Sequence, residues 1–247
     1  MKRILVIQSR ERKETVEAEQ EEYCRVVEPL ARVDFLSALD EKLAWTDPDE
    51  VLKEYGGIII GGSGDFDLHG GRFEKDPARL MAMIILSRLR MFVKYAFAEE
   101  LPVFGVCFGH QLIAQMHGGN VTRDETQTKT GTFEVCRTEE GKRDLLFKGL
   151  PDAFLVQYAH KDSVMALPQG AVLLATGPMC RFGALRYGKA TYTTQFHPEL
   201  SAERAIRKLN RDTCGYMPEG IADAASIVRE SPEASQLIPA WIERVVT

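Results

Sequence analysis

Short, wholly apolar runs punctuated by glycine constrain this chain more than any other feature. "KRILVIQ" (residues 2–8), "GIII" (57–60) and "VFGV" (103–106) each fit one strand, and helix-period stretches separate them. A strand that is apolar on both faces must be covered on both, so this alternation predicts a parallel sheet between layers of helices. The first strand is read at Lys2 to Gln8, a charged helix at Ala18 to Leu30, a second strand at Val33 to Ala38 and a third at Gly57 to Ile60. A glycine-rich loop, "GGSGDFDLHGGRFEKD", comes next. Asp76 then stands as an N-cap with Pro77 at the first helical position, and Met81, Ile84, Leu89, Phe92 and Ala96 keep helical spacing as far as Leu101. Val103 to Val106 is a fourth strand, and the helix from Phe108 stops at Gly118-Gly119, where a C-cap glycine belongs.

From about Val121 to Pro198 the pattern changes to successive β-rich runs: "GTFEVCRT", "AFLVQYAH", "AVLLATG", "RFGALRYG" and "ATYTTQFHP". They predict an extension of the sheet that is partly antiparallel. Past Ser201, "AERAIRKLN", "ADAASIVRE" and "IPAWIERVV" read as helical, the last of them amphipathic. No repeat or linker marks a boundary, so a single domain is expected over residues 1–247, with a helical C-terminal extension from about 201.

A net charge of −5 gives no basic excess for nucleic acid or an anionic membrane, and no run approaches the apolar length of a membrane span. A soluble cytoplasmic protein is expected, with small molecules or proteins as partners. Cysteines at 24, 107, 136, 180 and 214 are odd in number and form no CxxC pair, which predicts free thiols in a reducing compartment, with Cys136 and Cys180 in the core. The five histidines lack HxxxH or HExxH spacing, so neither a metal nor another cofactor is expected.

The chemistry concentrates in "VFGVCFGHQLIA" (103–114), where an apolar strand runs through G-x-C-x-G into a helix. This is the thiol form of a nucleophile elbow, with Gly105 and Gly109 read as allowing the sharp turn that presents Cys107. At a helix N-terminus, unpaired N–H groups and the dipole favour a sulfur anion. The alternative is a buried thiol filling a glycine-rich turn. A thiol nucleophile needs a histidine to carry its proton and an acid to orient that histidine. His110 faces along the helix and His117 lies near its end, so both read as structural, while His160 in "AHKDSV" follows a strand and could border a site. His197 in "TTQFHPEL" is the strongest candidate, because Pro198 keeps the chain extended and turns Glu199 to the same side. As an isolated tripeptide, H-P-E equally fits a plain strand-end turn.

"GVCFGHQ" followed by "QFHPE" resembles the two signatures of the class I, triad-type glutamine amidotransferases, and "IIIGGSGD" resembles the loop that supplies their oxyanion hole. The resemblance covers roughly residues 1–205 and implies a flavodoxin-like three-layer α/β/α sandwich. It implies Cys107 as nucleophile, His197 as general base and then acid, and Glu199 as the orienting group. Phe108 N–H, at the helix start, is the first expected oxyanion donor; by resemblance Gly62 N–H is the second, with Gly64 close enough to touch the substrate. The resemblance further implies that Gln111 and the loop around Thr130-Gly131 hold the amino-acid end of the substrate. The chain departs from the family pattern at Ser63, where many members have proline; at Ala159-His160-Lys161-Asp162, where S-H-G-D is frequent; and in a long loop from Phe66 to Lys75, read as an idle surface loop rather than a lid.

The implied activity is release of ammonia from glutamine through a cysteine thioester. With no P-loop and no second domain of useful size in the sequence, a separate synthetase subunit is the expected acceptor. "CFGHQ" and "HKDSV" also resemble stand-alone γ-glutamyl peptidases of the same superfamily, while the whole chain with its "AWIERVV" helix looks closest to GMP-synthase-like amidotransferases. A non-catalytic scaffold of the same fold is the third reading, opposed by the intact Cys107, His197 and Glu199.

Overall fold

Ile4 and Val6 belong to one buried cluster and Leu5 and Ile7 to another, because alternate residues of a strand face opposite sides of a sheet. The computed structural model describes residues 2–127, 129–178, 180–211 and 215–246. Strand β1 (Arg3–Gln8) pairs in parallel with β2 (Arg32–Ser37) and β3 (Gly57–Ile60). β3 pairs with β4 (Val103–Val106), and β4 with β11 (Thr191–Thr194), again in parallel. Beyond β11 the sheet continues antiparallel through β10 (Ala184–Tyr187), β9 (Ala171–Thr176), β6 (Lys129–Arg137) and β7 (Ala153–His160), giving the nine-strand order β2-β1-β3-β4-β11-β10-β9-β6-β7. β5 (Val121–Arg123) and β8 (Asp162–Val164) form a separate antiparallel pair. The mostly parallel, flavodoxin-like sheet with its antiparallel extension is therefore the predicted one.

Helices cover both faces. On one side, α1 (Lys13–Val27) and α8 (Leu237–Arg244) bury Tyr23, Val26 and Trp241 with Ile4, Val6 and Phe104. Trp241 meets Phe104 edge-on at 5.7 Å, and a Cβ on Gly57 would come within 2.9 Å of its ring, so the C-terminal helix seats on the sheet at a glycine. On the other side, α2 (Pro48–Leu52), α3 (Pro77–Ala98) and α4 (Phe108–Met116) bury Leu52, Ile85, Phe92, Leu112 and Ile113 with Leu5, Ile7 and Ile60. Asp76 caps α3 as expected, accepting the Ala78 N–H at 2.9 Å. The remaining helices are α5 (Glu139–Arg143), α6 (Ala202–Asn210) and α7 (Pro232–Ser235). No helix among the described residues is long and apolar enough to cross a membrane.

Three expectations are corrected. α1 starts at Lys13, ahead of Ala18, because its first turns are charged and half-buried or exposed and so show no apolar period. "ADAASIVRE" forms only one 3₁₀ turn, Ala224–Ser226. Its backbone is claimed by the sheet: Thr132 N–H donates to Ile227 O at 2.9 Å, Arg229 N–H to Thr132 Oγ1 at 2.7 Å, and Gln157 Nε2 to Arg229 O at 2.6 Å. Cys180 is buried but Cys136 is exposed, since it sits on the outward face of β6. Cys24, Cys107, Cys136 and Cys180 are free thiols; Cys214 lies outside the described residues.

Candidate active site

The C-terminal ends of β3, β4 and β11 converge, and crevices at such ends are where open parallel sheets bind ligands. Cys107 follows β4 directly and is the N-cap of α4, with φ 51° and ψ −96°. A non-glycine residue held there stores about 1–3 kcal/mol of strain, which only a tightly determined surrounding sustains. The flanking glycines supply that surrounding. A Cβ on Gly109 would overlap the Ile60 carbonyl oxygen and lie 2.9 Å from its carbon; one on Gly105 would lie 3.0 Å from Gly109 C, Ile113 Cδ1 and Thr193 Cγ2. Neither glycine has a positive φ, so the sharp turn falls on the cysteine itself and the glycines serve close packing, a correction to the reading of the elbow.

His197 Nδ1 lies 2.6 Å from Glu199 Oε1, and both side chains are buried. That contact leaves Nε2 for another partner. Burial pulls the imidazole down, but the charges of Glu199 and Cys107 outweigh it and raise its pKa to about 9. Burial raises the Glu199 carboxyl, yet His197 reverses this and the net shift is downward. Arg25 Nη2 donates to the Glu199 backbone carbonyl, pinning the turn from α1. His197 and Cys107 border one small space, because a Cβ on Gly62 would sit 3.1 Å from His197 Cε1 and 3.6 Å from Cys107 Cβ.

Gly62 belongs to the loop after β3. Ser63, where many family members have proline, shapes that loop by accepting the N–H groups of Asp65 at 3.2 Å and Phe66 at 2.9 Å. Phe108 opens α4, so no preceding turn takes up its N–H. Beneath the loop, Arg10 pairs with Glu19 at 2.8 Å with both side chains buried, and its Nη2 would lie 3.5 Å from a Gly62 Cβ. The loop from Phe66 to Lys75 is not idle: Phe66 and Leu68 are buried, and the Asp162 carboxylate accepts His69 N–H at 2.7 Å and Gly70 N–H at 2.6 Å.

The residues expected to hold substrate separate into groups. Gln111 Nε2 donates to Asp162 O at 2.7 Å and to Gln195 Oε1 at 3.2 Å, and Gln195 Nε2 in turn approaches Cys107 Sγ at 3.6 Å. His160 is buried, with Nδ1 on Asp162 O at 3.0 Å; burial is the main cause that lowers its pKa to about 4, so its ring is neutral at pH 7. Thr130 pairs with Ala159 across β6 and β7, and Gly131, at φ 112°, lies under the Ile227 carbonyl. Gly64 lines a cavity of about 630 Å³ that also reaches Ser63, Ala159, His197, Glu199 and Lys208. His110 and His117 are structural as expected: the first is buried with Nδ1 2.8 Å from Thr193 Oγ1, the second lies against Phe97 and Tyr187. Arg10 and Gln195 were missed. Gln195 stands in the quoted "QFHPE", whereas nothing local distinguishes Arg10 from a solvated loop arginine. Among the described residues no group of three or more His, Cys, Asp or Glu side chains could hold a metal ion.

The family model for glutamine amidotransferase class-I matches residues 41–213. The chain is 29% identical over 171 residues to the glutamine-hydrolysing subunit of GMP synthase from Methanocaldococcus jannaschii, covering 68% of this chain and 78% of that protein. It is 32% identical over 158 residues to the protein of the same name from Methanopyrus kandleri, covering 63% and 72%. Among solved structures, a glutamine amidotransferase from Thermotoga maritima superimposes with a TM-score of 0.74 at 24% identity, covering 99% of this chain and 98% of the other.

Proposed function

The chain belongs to the class I glutamine amidotransferases, and from that premise we propose that it hydrolyses the γ-amide of glutamine through a Cys107 thioester and hands the ammonia to a separate synthetase subunit. The observation that carries this reading is the His197–Glu199 contact of 2.6 Å beside a strained cysteine at a helix N-terminus. His197 Nε2 takes the thiol proton as Sγ attacks the amide carbon. The resulting oxyanion faces the N–H groups of Gly62 and Phe108, each worth about 10²–10³ in rate if it behaves as such donors do. His197 then gives its proton to the leaving nitrogen, and ammonia departs. Water, deprotonated by His197, attacks the thioester and releases glutamate with the thiol restored. Gln195 steadies the sulfur from the side, and Arg10 supports the loop that carries Gly62. The names of the relatives, glutamine-hydrolysing subunits of GMP synthase, support a nucleotide synthetase as the acceptor.

A second reading, hydrolysis of a γ-glutamyl peptide, is favoured by the cavity of about 630 Å³ at His197, far larger than departing ammonia requires. Purified protein incubated with glutamine or with γ-glutamyl peptides, with and without a GMP synthase-type synthetase subunit, separates the two. Glutamate release from glutamine that rises when the synthetase is added, and vanishes in Cys107→Ser, is the expected result. Strong turnover of peptides by the isolated protein overturns the ammonia-donor reading.

A further inference from the structure

We propose that the outer face of α3 is a homodimer interface, on which a second copy of this chain packs antiparallel. The buried side of α3 is complete, with Ala82, Ile85, Leu86, Leu89, Phe92, Val93 and Ala96 packed inward. Its outward side is nevertheless apolar: Leu80 is 48% exposed, Met83 50%, Ile84 44% and Met91 41%. Just before the helix, Phe73 is 69% exposed. Isolated exposed apolar residues need no explanation, but here they share one face of one helix.

The spacing specifies the occupant. Leu80, Ile84, Ser87 and Met91 follow one another at intervals of four, three and four, the alternation of a coiled-coil seam. That alternation reads the same in both directions. A two-fold axis midway between Ile84 and Ser87 therefore sets Leu80 against the partner's Met91, and Ile84 against the partner's Ser87. Self-matching of this kind is what an isologous interface requires.

Charge fixes the direction. Between Pro77 and Ala98, α3 holds Arg79, Arg88, Arg90 and Lys94 and no acidic residue. A parallel copy would set these cations side by side. The antiparallel copy sets exposed Lys94 opposite the partner's Pro77, within a turn of the partner's Asp76 and of its exposed Glu74. One helix from each protomer makes a contact at the low end of specific interfaces, near about 1,200 Å², so a dimer in the micromolar range is expected.

Sedimentation velocity on the full chain, from about 1 to about 100 μM, reads this directly. The wild type should pass from monomer to dimer across the series. Ile84→Asp, beside the axis and exposed, should weaken the dimer at least tenfold while the melting temperature stays put. Lys94→Glu should weaken it less, and adding Glu74→Lys to Lys94→Glu should restore it. A wild type that stays monomeric throughout overturns the proposal, including one that shields this face only when a synthetase is added. So does a dimer indifferent to Ile84→Asp, or one that Ile84→Asp breaks but the charge exchange leaves unmoved. Each readout is independent of glutamine turnover, so the two proposals stand or fall separately.

Discussion

Around Cys107 the constraint is volume, whereas around His197 it is charge. The elbow stands because Gly109 lets α4 lie directly on the Ile60 carbonyl and Gly105 lets β4 lie against Ile113 and Thr193. The imidazole stands because a buried carboxylate holds Nδ1 at 2.6 Å and the opposing charges keep the ring's proton affinity high. A nucleophile must sit at one point on a rigid backbone, and sterics in a close-packed interior fix a point well. A base must hold and release a proton, and only electrostatics tune that. The two halves should therefore fail in different ways.

Gly109→Ala should have the largest effect. Its methyl group meets backbone, which cannot give way, so the elbow is displaced; both thermal stability and glutaminase activity should fall, the former by at least about 1–3 kcal/mol. Retention of the wild-type melting temperature would remove the volume account of this half.

Glu199→Gln should act on the other half alone, with little change in fold and a loss of kcat/KM on the order of 10²–10⁴, as when a triad's orienting acid is neutralised. Its pH signature is specific. In the wild type the raised His197 keeps its proton up to about pH 9, so activity that depends on the imidazolium should decline above that value. Without the carboxylate the pKa falls, and the alkaline limb should move down by about 1–3 units. The same shift governs stability. A group raised on folding stabilises fully below its ordinary pKa near 6.5, and this contribution is lost as pH climbs through about 9. Denaturant titrations should show that decline in the wild type and a smaller one in the variant.

Gly62→Ala sits where the halves meet. Its Cβ would press on the imidazole at 3.1 Å rather than on backbone, so activity should drop with almost no loss of stability. The smallest effect belongs to strain: Cys107→Gly should be more stable than Cys107→Ala by about 1 kcal/mol, because glycine alone is at ease at φ 51°.

Much of the thiol half was legible in sequence, since apolar runs bounded by glycine are local and Cys107, Phe108 and Gly109 are neighbours. The strands "GIII" and "VFGV" form as read, and so does the Asp76-Pro77 start of α3. What the glycines do there was not legible, because whether a residue needs a left-handed backbone or merely no side chain depends on what packs against it. Of the histidine half, only the His197–Glu199 spacing could be read. Arg10 reaches Gly62 from the loop after β1, and Gln195 reaches the thiol only once β11 lies beside β4. "ADAASIVRE" misled because its helical composition is weaker than the bonds that Thr132 and Gln157 make to its backbone. The short strands β5 and β8 carry too few residues for any period to register.

The central claim is that the sulfur of Cys107 and the imidazole of His197 work as one unit. Alkylation by a glutamine-like electrophile, followed by mass spectrometry across a pH series, tests it most directly. The account predicts one label per chain, on Cys107, with a rate that declines above about pH 9 and whose alkaline limb moves to lower pH in Glu199→Gln. Labelling of another cysteine, or a Cys107 rate indifferent to Glu199, would contradict it.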